Sequence, residues 1–187
     1  MAEDRRIRFT KSVLKSSLIE LMQEKPLAKI TVKELCEKAD INRGTFYAHY
    51  KAPEDLMESM REELATGIEE HVQQNLSRHE RLQGIHALEK ALEYIAANQK
   101  LCKALSKDPG NTAYWQHFIE RIYKKYLSNW LVSISDSPWN DYVYYFMTSG
   151  CLSVILRWIG NGCDATPREI GRIVINFTDR GMSYFSE

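Results

Sequence analysis

The sequence predicts an all-α protein of about nine helices, on three observations. Apolar residues return every three or four positions through most of the 187-residue chain, which is the spacing of one helix face. Helix-capping residues and helix breakers, such as Asp136-Ser137-Pro138, separate these stretches from one another. No stretch alternates apolar and polar residues as a half-buried strand does, and no internal repeat is present.

The first predicted helix covers residues 4 to 24 and ends at Lys25-Pro26, because a residue before proline rarely continues a helix. Arg5, Arg6 and Arg8 lie at its start, where cations oppose the helix dipole. Local helix stability therefore does not explain them. We interpret these arginines as phosphate contacts, with an exposed basic arm as the alternative.

Two short helices joined by a tight turn are predicted between residues 31 and 50. Thr31 is suited to cap the first helix, and Glu34, three residues later, completes a capping box. Asp40-Ile41-Asn42 supplies the turn, with Asn42 as the cap of the second helix.

The second of these helices is predicted from Asn42 to about Tyr50. Phe46 and Tyr50 lie four residues apart and are assigned to the core. The side chains expected on the exposed face are Arg43, Thr45, Tyr47 and His49. This pattern is typical of a helix-turn-helix, whose second helix enters the major groove of DNA.

Pro53 suits the first position of a long helix that is predicted to reach about Arg78. Gly67 lies in its middle, where glycine costs about 1 kcal/mol relative to alanine. We attribute this glycine to a close helix contact, with a bend as the alternative. The polar stretch 77–84 is predicted to be a loop and a domain boundary.

Five more helices are predicted in the remainder of the chain, over residues 85–95, 101–105, 112–134, 139–160 and 166–185. Asp108-Pro109-Gly110-Asn111 breaks the series, and Asn161-Gly162 closes the penultimate helix. Thr166 caps the last helix and forms a second capping box with Glu169.

Composition and charge limit the class of protein. The chain has no run of about 18 apolar residues and no apolar signal segment at its start, so we expect neither membrane insertion nor secretion. Residues 1–51 hold 11 Lys/Arg against 7 Asp/Glu, a net +4, whereas residues 52–187 hold 14 against 18, a net −4. A basic N-terminal part suits contact with a polyanion, although a solvated surface gives the same split.

Catalytic and metal-binding patterns are not found in the sequence. The four cysteines show no metal-ligand spacing and are expected to be buried thiols in a reducing cytoplasm, with redox sensing as an alternative: Cys36, Cys102, Cys151 and Cys163. His71, His79, His86 and His117 are not spaced with Asp, Cys or Ser as a triad or metal site requires. We therefore expect no enzyme, no cofactor and no metal.

The string INRGTFYAHY, followed by Lys51 and then EDL, resembles the recognition helix of TetR/AcrR-family transcriptional regulators. This resemblance covers roughly residues 5 to 60. The segment YYFMTSGCLSVILRWIGNGCDATPREI also resembles, more weakly, the C-terminal region of regulators of the dihydroxyacetone-kinase operon activator type. The resemblance implies a three-helix helix-turn-helix DNA-binding head in residues 1–52, a linking helix in 53–80, and a helical ligand-binding and dimerisation body in 81–187.

The resemblance also implies which residues contact DNA. Arg43 and Thr45 would read base edges, and Gly44 would let the helix approach the groove closely. The family commonly has a lysine where this chain has Ala52-Pro53, so Lys51 is expected to supply that phosphate contact. For His49 a plain surface histidine is the alternative. The complete predicted DNA-binding set is Thr31, Asn42, Arg43, Gly44, Thr45, Tyr47, His49 and Lys51.

As a function, the resemblance implies a cytoplasmic, homodimeric repressor that a small-molecule effector releases from a pseudo-palindromic operator in double-stranded DNA. Most aromatic residues of the body are expected to pack the core and some to line an effector cavity: Tyr94, Tyr114, Trp115, Phe118, Trp130, Tyr142, Tyr145, Phe146 and Trp158. No individual ligand-binding residue is predicted. The alternatives are a ligand-independent DNA-binding or architectural protein, and an activator that works through a protein partner.

Overall fold

The computed structural model describes residues 2–76, 81–106, 110–127 and 140–184. Within these ranges the regular structure comprises nine α-helices, one short 3-10 helix and one π-helical segment, with no strand, which confirms the all-α prediction. The chain divides into two compact units, Met1–Leu64 and Ala65–Glu187. No described helix is long and apolar enough to cross a membrane.

The first unit is built on fully buried apolar side chains that its helices share. Leu14 and Leu18 of the first helix, Leu35 of the second and Phe46 of the third have no exposed surface. The elements are α1 (Ala2–Glu24), a 3-10 helix (Leu27–Lys29), α2 (Val32–Ala39), α3 (Arg43–Tyr47) and the first part of α4 (Pro53–Asn75), which continues into the second unit.

The second unit holds the rest of α4 and five further α-helices. They are α5 (Arg81–Ala97), α6 (Gln99–Ser106), α7 (Gly110–Ile122), the π segment (Tyr123–Leu127), α8 (Asn140–Gly160) and α9 (Pro167–Tyr184). Helix α5 packs along α9, while α6 and α7 pack on α8. Trp158 is 2% exposed, and its Nε1 donates to the Ala165 carbonyl at 2.8 Å, which fixes the turn between α8 and α9.

Both predicted capping boxes are present. At the start of α9, the Thr166 hydroxyl accepts from the Glu169 amide at 3.3 Å, and the Glu169 carboxylate accepts from the Thr166 amide at 2.8 Å. The close contact predicted at Gly67 is also confirmed, and its partner is the side chain of Tyr94 in α5.

Several predicted helix ends were wrong. Helix α4 ends at Asn75 instead of about Arg78, and α5 begins at Arg81 within the predicted loop 77–84, where Arg, Leu and Gln are good helix formers. The helix predicted over 112–134 begins at Gly110, ends at Ile122 and changes to π winding. The features predicted at residues 77–80, 107–109 and 128–139 lie outside the described residues.

Candidate nucleic-acid interface

The N-terminus of α2 is fixed by the capping box that the sequence predicts. The Thr31 hydroxyl accepts from the Glu34 amide at 3.2 Å, and the Glu34 carboxylate accepts from the Thr31 amide at 3.0 Å. Lys25 also pairs with this carboxylate. The hydrogen bond from Lys25, followed by those from Thr31, lowers the pKa of Glu34 from 4.5 to about 2. Glu34 is therefore ionised at neutral pH, and Thr31 is held at the exposed end of α2.

The turn between α2 and α3 depends on the backbone conformation of Asp40 and on the side chain of Asn42. Asp40 adopts the left-handed conformation at φ +50°, which Asp tolerates better than most residues. Its backbone amide donates to the carbonyls of Cys36 and Glu37, which ends α2. The Asn42 side chain then accepts from the Gly44 amide at 2.7 Å and starts α3.

One face of α3 is anchored in the core and the opposite face is exposed. Phe46 has no exposed surface and Tyr50 is 8% exposed, which confirms that both belong to the core. Their ring centroids lie 5.9 Å apart. Arg43, Gly44, Thr45 and Tyr47 are exposed, and the Tyr47 ring meets Phe46 edge-on at 5.7 Å. The structure therefore brings these four residues together on one outward surface.

The third helix is shorter than predicted, because it ends at Tyr47 and not near Tyr50. The amides of His49 and Tyr50 both donate to the Phe46 carbonyl at 2.9 Å, so the chain turns sharply while Tyr50 enters the core. His49 is consequently half-buried and lies beyond the helix. Lys51 is exposed, and its amide donates to the Asp55 carboxylate at 2.9 Å, next to the start of α4.

Besides the close approach to DNA that the resemblance implies, Gly44 has a structural role at the start of α3. A Cβ at this position would lie 3.2 Å from the Asn42 side-chain oxygen that caps α3. A larger residue here would crowd the cap, so Gly44 also favours the geometry that begins the helix.

The ion pairs within the first unit were not predicted from the sequence. Lys38 pairs with Glu20 at 3.0 Å, and Lys15 pairs with Glu63. Together with Lys25–Glu34 and the 3.9 Å Lys33–Glu37 pair, they engage four of the eleven basic residues of positions 1–51. Only the Lys33–Glu37 pair has the i,i+4 spacing that a sequence reveals.

The described residues also include cysteines and other side chains that can ligate a metal ion. No group of three or more His, Cys, Asp or Glu side chains there is arranged to hold a metal ion. Cys36 and Cys102 are buried, whereas Cys151 and Cys163 are half-buried. Burial raises the pKa of the Cys102 thiol to about 12, so this cysteine carries almost no reactive thiolate at neutral pH.

The aromatic residues of the second unit differ in exposure, and two of the predicted set, Tyr94 and Tyr114, are half-buried. Trp115, Phe118 and Trp158 are buried in its core. In contrast, one face of α8 is open and apolar, and three large rings on it are exposed by 63–78%: Tyr142, Tyr145 and Phe146. Helix α9 adds Ile173, 44% exposed, and Phe177, 80% exposed. The second unit therefore presents apolar side chains outward from its last two helices. Trp130 lies outside the described residues.

Comparison with protein families assigns both parts of the chain. Residues 16–60 match the family model described as bacterial regulatory proteins, tetR family, which includes all of α2 and α3. Residues 85–180 match the model described as transcriptional regulator C-terminal region. The two matches together cover the helix-turn-helix and most of the second unit.

A curated relative and two solved structures are similar over most of this chain. The chain is 25% identical over 181 residues to YxbF, an uncharacterized HTH-type transcriptional regulator of Bacillus subtilis (strain 168). That match covers 94% of this chain and 46% of the relative, so the chain spans about half the length of YxbF.

Among solved structures, a TetR transcriptional regulator from Streptococcus agalactiae 2603V aligns with a TM-score of 0.66 and 23% identity, over 95% of this chain and 98% of that one. The dihydroxyacetone kinase operon activator DhaS aligns with a TM-score of 0.63 and 17% identity over the same shares. These likenesses show the fold. On both family matches, the chain belongs to the TetR family of bacterial transcriptional regulators, a family of DNA-binding and not enzymatic proteins.

Proposed function

We propose that the chain binds a pseudo-palindromic operator as a homodimer and acts as a repressor that a small-molecule effector releases from DNA. The observation that carries this proposal is the construction of α3. Its inner side is fixed by the fully buried Phe46, and Asn42 caps its start. Its outer side presents side chains that suit a major groove.

Within α3, Arg43 and Thr45 are proposed to read base edges. Both are exposed in the first turn, and Gly44 between them leaves room for close approach to the groove. An arginine donates two hydrogen bonds to guanine, and a threonine methyl group packs against that of thymine. These two residues are therefore proposed to carry sequence preference.

The other predicted contacts are proposed to hold phosphates and set the register of the helix on DNA. Tyr47 is 58% exposed on α3, and Lys51 is exposed between α3 and α4. Thr31 and Asn42 lie at helix N-termini, which favour anions. His49 belongs to this set too. Contacts of this kind strengthen binding to all sequences equally.

The division of roles along the chain follows from these assignments. Residues 1–52 would bind DNA, 53–80 would link the two parts, and 81–187 would bind the effector and dimerise.

Exposed rings on α8 and α9 support a two-fold interface, since apolar patches of this kind mark interaction sites. Gly150 leaves open space on α8 for a second copy. A dimer would place two α3 helices roughly 34–36 Å apart, one turn of DNA.

An effector would release DNA only by binding more tightly to a conformation whose α3 spacing does not fit the operator. No lining residue for this ligand is proposed. A regulator of this kind would act in the cytoplasm, where bacterial DNA lies.

The deciding experiment is selection of bound sequences from random duplex DNA by the purified chain, with its oligomer mass measured in parallel. An enriched inverted repeat bound by a dimer would support the proposal. Tight, salt-sensitive binding without any enriched sequence would replace it with an architectural role. A monomer that binds no duplex would overturn it.

Arg43→Ala tests base reading on the selected operator. The variant should lose about 1–3 kcal/mol of binding free energy on the operator and relax specificity at the contacted base pair. Thermal unfolding of Arg43→Ala, measured beside the wild type, serves as a control for the integrity of the folded chain. Equal weakening on operator and scrambled DNA would count against base reading by Arg43.

A further inference from the structure

The two carboxylate oxygens of Glu34 hold two different neighbours. Oε2 accepts from the Thr31 amide at 3.0 Å and from the Thr31 hydroxyl at 2.8 Å. Oε1 accepts from the ammonium group of Lys25, which follows directly after α1 in the chain. The Glu34 side chain is 39% exposed and the Lys25 side chain 28% exposed, so this ion pair lies at the surface of the first unit.

A capping box does not need a lysine. At the start of α9, the Glu169 carboxylate accepts from the amide and the hydroxyl of Thr166, both at 2.8 Å. Within the described residues this carboxylate has no ion-pair partner, and the box is nevertheless complete. The pairing of Lys25 with Glu34 is therefore additional to the capping of α2.

Both partners of Glu34 are groups that a DNA phosphate could bind. Thr31 is exposed at the N-terminus of α2, and the first helix of a helix-turn-helix crosses the DNA backbone. Its amide and hydroxyl hydrogens already bond to Glu34, so a phosphate has to compete with this carboxylate for them. Lys25 could neutralise a phosphate, but its charge is already paired. Because the hydrogen bond from Lys25 and those from Thr31 lower the pKa of Glu34 to about 2, the competing charge is present at neutral pH.

We infer that Glu34 is an internal competitor of the DNA phosphates, which withholds Lys25 and the donors of Thr31 and so lowers the affinity of the protein for every duplex. The inference rests on the proposed DNA binding by the first unit. Phosphate contacts carry no sequence information, so operator and scrambled DNA should be affected by the same factor. The Lys25–Glu34 pair would thus set how tightly DNA is held, whereas Arg43 and Thr45 are proposed to set which sequence is held.

The test is the affinity of the full chain for the selected operator and for a scrambled duplex, measured between about 50 and 200 mM salt. Glu34→Gln keeps a side-chain oxygen for the Thr31 amide, since glutamine also forms capping boxes, but it removes the charge that holds Lys25. This variant should bind both duplexes more tightly, with a salt slope steeper by about 0.9, the value for one added phosphate contact. Its affinity relative to the wild type should therefore be about threefold larger at the low-salt end than at the high-salt end.

Lys25→Ala separates the release of this lysine from the loss of the glutamate charge. In the wild type Lys25 is paired, so the substitution should leave the salt slope unchanged. In the Glu34→Gln background it should remove the added slope of about 0.9. Glu37→Gln is the matched control, because Glu37 is a second glutamate of α2 whose contact with Lys33 is long, at 3.9 Å, between side chains that are both 64% exposed. It removes the same charge without releasing a held lysine, so its slope should equal that of the wild type.

An unchanged affinity and salt slope in Glu34→Gln would overturn the inference, as would an added slope that persists in the double variant. A lower slope in Lys25→Ala alone would overturn it as well, because Lys25 would then already contact a phosphate. This last measurement remains decisive if thermal unfolding shows that Glu34→Gln does not fold. If the wild type binds no duplex, the proposed function itself fails; if the wild type binds and Glu34→Gln binds no more tightly, only the present inference fails.

Discussion

Replacing Gly67 by alanine would add a methyl group to α4 where Tyr94 already fills the space. An ideal Cβ at Gly67 would lie 2.2 Å from Tyr94 Oη, 2.3 Å from Cζ and 2.6 Å from Cε1. Cβ contacts under 3.0 Å essentially never occur, so the Tyr94 ring has to move. That ring also packs against His71, with 4.6 Å between centroids, and His71 Nδ1 donates to the Gly67 carbonyl at 2.7 Å.

Two effects of Gly67→Ala oppose each other. Alanine in a helix interior is more stable than glycine by about 1 kcal/mol. Overpacking a filled site typically costs about 1–3 kcal/mol. Overpacking should win, so we expect the free energy of unfolding to fall by about 1 kcal/mol and Tm by roughly 2–4 °C. In a Tyr94→Leu background the methyl group has room, and the same change should stabilise the protein by up to about 1 kcal/mol.

The assay is thermal and urea unfolding of the wild type, both single variants and the double variant. Gly67→Ala is expected to destabilise the wild type and to stabilise the Tyr94→Leu variant. This difference corresponds to an interaction energy of about 1–2 kcal/mol between positions 67 and 94. Gly160→Ala is the control, because no heavy atom lies within 4 Å of an ideal Cβ there. If Gly67→Ala stabilises both backgrounds equally, the close contact with Tyr94 is not what limits this position.

Three further predictions concern pH, salt and packing. Because Glu34 has a pKa of about 2 in the folded chain against 4.5 ordinarily, its contribution to stability is full above pH 4.5 and is lost as the pH falls toward 2. Urea unfolding of Glu34→Gln should therefore show a flatter pH dependence than the wild type in that window, and an unchanged pH dependence would contradict this role of Glu34. Lys51→Ala should weaken all duplexes alike and lower the salt slope of binding by about one, and an unchanged slope would remove Lys51 from the phosphate contacts. Trp158→Phe leaves the Ala165 carbonyl without its 2.8 Å donor and should cost about 1–3 kcal/mol in thermal unfolding; a change within experimental error would contradict a role for this bond in the α8–α9 turn.

The parts of the fold that the sequence predicted correctly depend on partners close in the chain. Both capping boxes join residues three apart, and the Asn42 cap reaches two residues onward. The end of α3 could not be predicted in this way. Its position depends on burial of Tyr50 and on the shared Phe46 carbonyl, which are tertiary effects that override local helix preference.

The π segment could not be predicted from the sequence either, because it too depends on tertiary contacts. Nothing in YKKYL distinguishes it from an ordinary amphipathic helix. Glu69, the acceptor for Lys125 and Tyr126 of this segment, lies 56 and 57 residues before them in the chain. In the sequence, Glu69 is one of several glutamates on α4, and nothing distinguishes it from a solvent-exposed one. Only the fold reveals that Lys125, Tyr126 and Arg121 share a single carboxylate.

The charge of the first unit shows the same limit of sequence-based prediction. The net +4 of residues 1–51 suggests a broadly cationic unit, but Lys15, Lys25, Lys33 and Lys38 are paired with glutamates of that unit. Each would have to give up an internal partner to reach a phosphate, whereas side chains such as Arg43 and Lys51 extend from the α3 region into solvent. Fewer cationic side chains than the sequence count implies can therefore reach a phosphate without breaking an ion pair of the first unit.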